Sequence, residues 1–282
     1  MIRCATFAIW LTVAATASAA APQRIVSLNL CADELVLRLA APGTVKSVTW
    51  LARDPVLSNV PELAQAVPVN RGLAEDIVPL APDLVIAGTY TSRTAVALLK
   101  RLRVPVLEIG VPGSIEEALA QITTVAAALG ADERGAQLIA DIRKRLAALP
   151  RAAPLSLQPV AAVYQPNGFT IGQGSMINDL LQQAGLRNLA VERRIDNYGA
   201  LPLEVLLLAQ PDLLVMNAAG DSGPALAYEV LRHPALARHY DIARVVSVPS
   251  AWWSCPGPHL VDAVHRLQRA AQQLPLASAS RR

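Results

Sequence analysis

Glu75-Asp76-Ile77-Val78-Pro79-Leu80-Ala81-Pro82-Asp83-Leu84-Val85-Ile86 and Glu204-Val205-Leu206-Leu207-Leu208-Ala209-Gln210-Pro211-Asp212-Leu213-Leu214-Val215 superpose without a gap. In each, a Glu stands seven residues before a Pro-Asp-Leu junction, and the apolar run that follows has the length of a buried strand. Helix–Pro-Asp–strand junctions are common in proteins, but the matching flanks point to a repeated lobe.

Outward from these stretches, both halves alternate apolar runs with helical patterns. Residues 24–28, 45–50, 82–88 and 104–109 read as strands, with helices over 33–39 and 94–102. In the second half, 160–164, 211–216 and 245–248 read as strands, with helices over 177–184 and 259–274. Such alternation predicts mostly parallel sheets covered on both faces. Between the halves the pattern is purely helical. Ser114 and Glu117 form a capping box, and Ile115, Ala118, Leu119, Ile122, Val125, Ala126 and Leu129 share one face before Gly130 breaks the run. A second helix over 133–149 would reach about 25 Å at ~1.5 Å per residue, enough to bridge two lobes stiffly. The expected fold is α/β: two Rossmann-like lobes, residues 22–113 and 151–282, joined by helices over 114–150, with a ligand cleft between lobes.

Of the 282 residues, 53% are hydrophobic and 17% charged, which excludes disorder and supplies a sizeable core. The net charge of +3 is too small to suggest nucleic acid. Residues 1–19 read as a cleavable signal peptide: Arg3, the apolar run 7–15, then Ala17-Ser18-Ala19. A membrane anchor is the alternative for the uncharged stretch 4–21, but the processing site favours cleavage. Cys4 precedes the apolar run, which disfavours a lipoprotein. Export to a periplasm is expected. There Cys31 and Cys255 remain, an even count in an oxidising compartment. A disulfide is the default reading, and a thiolate pair for a soft metal is the rival.

Nothing in the sequence demands catalysis. Gly172-Gln173-Gly174-Ser175-Met176 has the wrong glycine spacing for a nucleophile elbow. His233, His239, His259 and His265 sit beside no nucleophile and lack the four-residue spacing of a helical zinc pair. No catalytic residue, metal ligand or cofactor is assigned. The loops leaving the strand ends, however, hold the scarce large side chains: Trp50 with Arg53, Asn70 with Arg71, Tyr90 with Arg93, Tyr164 through Phe169, and Trp252 with Trp253. Ligands of α/β lobes bind at those carboxyl ends. An aromatic cleft with scattered arginines suits a large, flat, partly anionic ligand. Trp50 reads equally well as core, whereas Trp252 and Trp253, on an extended segment, would point opposite ways.

Arg24-Ile25-Val26-Ser27-Leu28 followed by Asp33-Glu34-Leu35, Gly72-Leu73-Ala74-Glu75 leading to Ala81-Pro82-Asp83-Leu84-Val85-Ile86, and the late Trp252 with Pro256-Gly257-Pro258 carry a resemblance. In order and spacing they resemble the helical-backbone (class III) periplasmic binding proteins, which serve ABC importers for cobalamin, ferric siderophores and haem. The resemblance covers nearly the whole mature chain. It implies two lobes on one long helix, small lobe movement, and a monomer that hands an intact metal chelate to an ABC permease dimer without bond chemistry. It also implies that Glu75 and Glu204, one per lobe, pair with permease arginines, and such charges steer docking and set orientation.

The nearest likeness is to the cobalamin-binding branch, which places Trp50, Leu51, Asn70, Arg71, the Tyr164–Phe169 loop and Trp252 in the cleft. Asn70-Arg71 stands where that branch has an aromatic, and Cys255 where an Arg is expected. Cys31 falls beside the cleft on the opposite lobe, so a bridge would tether the lobes. The implied ligand is a corrinoid first. A ferric siderophore would use Arg53, Arg71 and Arg93, and haem iron would use Tyr90 or Tyr164. The competing class is an exported α/β enzyme whose substrate site is the same aromatic loops.

Overall fold

The computed structural model describes residues 20–217 and 233–274; the signal peptide expected over 1–19 lies outside the described residues. The N-terminal lobe comprises β1 (Ile25–Ser27), α1 (Leu30–Leu39), β2 (Val45–Thr49), α2 (Pro61–Ala64), β3 (Val69–Asn70), α3 (Ala74–Ile77), β4 (Leu84–Gly88), α4 (Arg93–Arg101) and β5 (Val106–Ile109). Two helices, α5 (Ile115–Ala128) and α6 (Asp132–Ala147), connect it to the second lobe. That lobe holds β6 (Val160–Val163), β7 (Phe169–Ile171), α7 (Met176–Gln183), β8 (Arg187–Asn188), α8 (Leu189–Glu192), β9 (Tyr198–Ala200), α9 (Leu203–Ala209), β10 (Leu213–Asn217), α10 (Pro234–His239), β11 (Val245–Val248), α11 (Ser250–Ser254) and α12 (His259–Gln272).

Each lobe has its own all-parallel sheet, ordered β3-β2-β1-β4-β5 and β11-β10-β6-β8, with β7 and β9 forming a separate antiparallel pair. The repeat extends to individual dihedrals and hydrogen bonds. Ala81 and Gln210, each just before Pro-Asp, both adopt left-handed backbone, with φ of 41° and 45°. Asp83 then accepts from the amides of Gln23 and Arg24 at the start of β1, and Asp212 from the amide of Val160 at the start of β6. The guanidinium of Arg24 donates to the carbonyls of Leu80 and Ala81, and that of Arg244 to those of Pro211 and Asp212. The Pro-Asp junction is thus a clamp that sets where the central strand pair of each lobe begins.

Sequence periodicity placed most elements within a few residues. Helix α1 begins three residues earlier than the periodicity predicts, because the Asn29 side chain caps it by accepting from the amides of Cys31 and Ala32. The Trp252–Trp253 segment, expected to be extended, is the short helix α11. Pro249 stands at its N-cap and the Ser254 hydroxyl bonds back to the Ser250 carbonyl, so the pair lies on a helical turn.

Helix α6 is the expected bridge. Near its start Arg134 donates to the Leu39 carbonyl of the first lobe, and near its end Arg145 pairs with Asp262 of the second. Helix α5 runs alongside it, its first amide held by Asp179 of α7. The two helices meet at Gly135, where a Cβ would lie 2.4 Å from the Ala126 methyl. The apolar face of α5 is fully buried and belongs to one continuous core reaching from Ile25 to Leu267. A further tie crosses the lobes directly. Cys31, in the first turn of α1, is disulfide-bonded to Cys255, just after α11, with Cα atoms 4.9 Å apart. Beside it the Asn59 amide bonds both Glu34 and the carbonyl of Ala251, and Gly257 packs on the Glu34 carboxylate.

Two measurable consequences follow from these ties. The bridge spans 224 residues, a closure worth roughly 5 kcal/mol in the chain-entropy treatment. Replacing both cysteines with Ser should therefore lower the guanidinium midpoint markedly; an unchanged midpoint would mean that the bridge constrains nothing. The second concerns Asp33, buried beneath β2, where the Thr49 amide and hydroxyl donate to it at 3.0 and 2.5 Å. Burial pushes its carboxyl from 3.8 up to about 6 against those hydrogen bonds. The folded state then holds the proton more tightly than the unfolded chain, so this group's contribution is greatest below pH ~4 and is lost as pH rises through ~6. Unfolding at pH 4.5 and pH 7 should show a loss of about 2 kcal/mol from this group, and Asp33→Asn should flatten that slope. An identical slope in the variant would assign it elsewhere; Glu34, also raised by burial, acts in the same direction.

Candidate ligand-binding cleft

The carboxyl ends of both parallel sheets face a shared cavity of about 550 Å³ between the lobes. From the N-terminal lobe Tyr90, two residues past β4, reaches it with Val111 and Pro112, which follow β5. The C-terminal lobe contributes Trp253 and Ser254 of α11, Asn217 at the end of β10, Gln165 after β6, Ile171 and Tyr198 of the β7–β9 pair, Asn197, and the start of α7. None of the described residues lining this cavity is charged. Its hydrogen-bonding groups are neutral: the Gln165, Asn197 and Asn217 amides, serine hydroxyls and two phenols.

Local backbone chemistry places these groups. The glycine-rich stretch at 172–176 is a packing device. Gly172 donates its amide to the Asn197 carbonyl, and a Cβ there would sit 1.8 Å from the Ile195 carbonyl oxygen. Asn197, in left-handed backbone, returns its amide to the Gln173 carbonyl and so presents Tyr198 to the cavity. Ser175 caps α7 by accepting from the Asn178 amide and donates to the Gly172 carbonyl. The Gln165 and Asn217 side chains meet at 3.5 Å. Phe169, half-exposed, stacks against Tyr198 with ring centroids 5.9 Å apart and stiffens that wall.

The residues expected in the cleft divide. Tyr90 (86% exposed) and Trp253 (2%) line the cavity as rim and floor, and Phe169 supports it from behind. Tyr164 does not reach it. Its ring is fully buried among Leu189, Leu201 and Leu206, because Gly168 lets the Leu201 backbone close over it. Asn70 is buried too, donating to Ser27, Ser47 and Val48 and so tying three strands. Arg53 spends its guanidinium on the carbonyls of Ala64, Gln65 and Val67 beyond α2. Trp50, Leu51 and the exposed Arg71 lie outside the lining. Trp252 turns to the other side of α11, stacked on His259 with Arg266 over its ring, at a hollow of about 610 Å³ along α12 that involves only the C-terminal lobe. Of the three arginines expected to meet an anionic ligand, Arg53 is engaged with backbone, and Arg71 and Arg93 are exposed outside the described lining.

Gln165 falls within the Tyr164–Phe169 loop expected in the cleft, whereas the amides of Asn197 and Asn217 escaped the sequence reading, since isolated neutral side chains carry no periodic or charge signal. The repeat does hold one cue. Asn217 corresponds to Gly88, at the mouth of the matching strand.

Known proteins agree with this architecture. A cobalamin-binding protein of Halobacterium salinarum is 26% identical over 260 residues, covering 88% of this chain and 69% of that one. The uncharacterised ABC transporter substrate-binding lipoprotein YvrC of Bacillus subtilis is 23% identical, over 87% of this chain and 79% of its own. Among solved structures, the apo periplasmic heme-binding protein RhuT of Roseiflexus sp. RS-1 superposes with a TM-score of 0.69 at 25% identity, covering 89% of this chain and 99% of that one. The sequence signature described as periplasmic binding protein matches residues 25–239. The two-lobed α/β chain with a cavity between its sheets thus belongs to the periplasmic binding protein family, whose members bind substrates for transport and are not enzymes.

Proposed function

We propose that this protein captures a bulky, largely uncharged metal chelate between its lobes, a corrinoid before a ferric siderophore or haem, and delivers it to the permease dimer of an ABC importer. It acts as a periplasmic monomer after removal of residues 1–19. The observation that carries this reading is the uncharged, amide-bearing set of described residues that line the cavity. A corrin ring is edged with carboxamides, which pair with Gln, Asn and Ser, while Tyr90, Tyr198 and Trp253 supply flat apolar surface. Ferric catecholates and haem propionates would bring negative charge to a cavity where no described lining residue is a cation, at a desolvation cost. The cobalamin-binding relative supports the same order. Haem stays second because Tyr90 and Tyr198 offer a phenol from each wall. Fluorescence and visible-absorbance titrations with cyanocobalamin, haemin and a ferric tris-catecholate should rank the corrinoid tightest, by about tenfold or more, and Trp253→Phe should reduce its quenching signal. Preferential binding of the catecholate would overturn the assignment.

Delivery is proposed to use Glu75 and Glu204. Each is exposed, each heads the same repeat in its lobe, and neither carboxylate has a hydrogen-bonding or ion-pair partner among the described residues. Two equivalent acidic positions suit a twofold partner bearing cations. Reversing both to Lys should abolish import by cells while leaving chelate affinity intact. Undiminished uptake would remove these residues from docking.

A further inference from the structure

Each of these carboxylates has an exposed apolar neighbour one helical turn on. In α9, Leu206 is buried in the lobe core, whereas Leu208 is 84% exposed and, four residues after Glu204, shares its outward face. At the matching place in the first lobe Pro79 follows Glu75 by four residues, in the tight turn after α3, and is exposed next to exposed Val78. A single exposed Leu needs no explanation. The same carboxylate–apolar pairing at corresponding positions of both lobes is a different matter. The C-terminal pair follows a wall of the cavity in the chain, since α9 comes shortly after β9, whose Tyr198 lines it, whereas α3 follows β3 at the sheet edge opposite β5.

We infer that each lobe meets the permease through a two-part contact, an orienting carboxylate and an apolar anchor, and that Leu208 is the anchor of the C-terminal lobe. The inference rests on the docking role proposed for Glu75 and Glu204, and the occupant is the extracytoplasmic face of the permease dimer. Solvent-exposed ion pairs hold partners weakly and fade with salt. They set orientation and encounter rate, while desolvated apolar side chains at the centre of an interface supply most of its hold. A permease that reads both carboxylates brings its own surface against the residues one turn away, so Leu208 is buried on docking.

The test is binding of the mature protein to its own importer, permease dimer with ATPase subunits, in nanodiscs, with circular dichroism and cobalamin titration run on every variant. Leu208→Ser should fold normally and bind cyanocobalamin as before. It should weaken importer binding about tenfold, equivalent to ~1.4 kcal/mol, to the same degree at low and high salt. Glu75→Gln with Glu204→Gln should weaken binding chiefly at low salt. Leu157→Ser, at another exposed leucine in the interlobe linker, should change nothing. Wild-type importer binding by Leu208→Ser, or equal weakening by Leu157→Ser, overturns the anchor while leaving the carboxylates standing. Unaltered binding by the double Gln variant overturns the docking reading itself.

Discussion

Burial of one helix against both lobes at once governs this molecule. The apolar face of α5, from Ile115 to Ala126, is covered by α1 on one side and α7 on the other, so what would be two cores is one. Swinging the lobes apart would return that face to water, and apolar burial is the dominant favourable term in folding. Helix α6 lies against α5 at the Gly135–Ala126 contact and is held at each end by a different lobe. The separation of the two sheets is therefore a property of the core.

A gap held in that way is a preformed site. Its walls carry Tyr90 on one side and Tyr198 on the other, and its floor is Trp253. On the β2 side the Glu34–Asn59–Ala251 hydrogen bonds and the disulfide draw the lobes together. Space remains on the β4–β5 side, which is why Tyr90 lines the cavity and Trp50 does not.

The architecture was legible because it rests on periodic or repeated features. The Pro-Asp clamps, the alternating elements and the amphipathic α5 all leave marks that survive without a structure, and in both clamps the aspartate accepts from an amide at the head of the neighbouring central strand. The cleft was only partly legible, for reasons specific to each residue. Tyr164 follows a strand as a ligand-facing aromatic would, but the turn at Gly168 folds backbone over it. Asn70 and Arg53 look like cleft polar groups, yet both donate to backbone carbonyls of their own lobe. Whether a polar side chain serves the backbone or a ligand depends on tertiary neighbours, which spacing does not encode.

Because sulfur joins residue 31 to residue 255, most of the chain is a covalent ring that contains both walls of the cavity and the helices between them. A protease that cut the exposed stretch around Leu155 and Leu157 would open the ring and still release neither lobe. Severing the molecule takes two cuts, or one cut and a reductant. In an oxidising compartment shared with proteases, a nicked copy keeps its halves in register and its cavity enclosed.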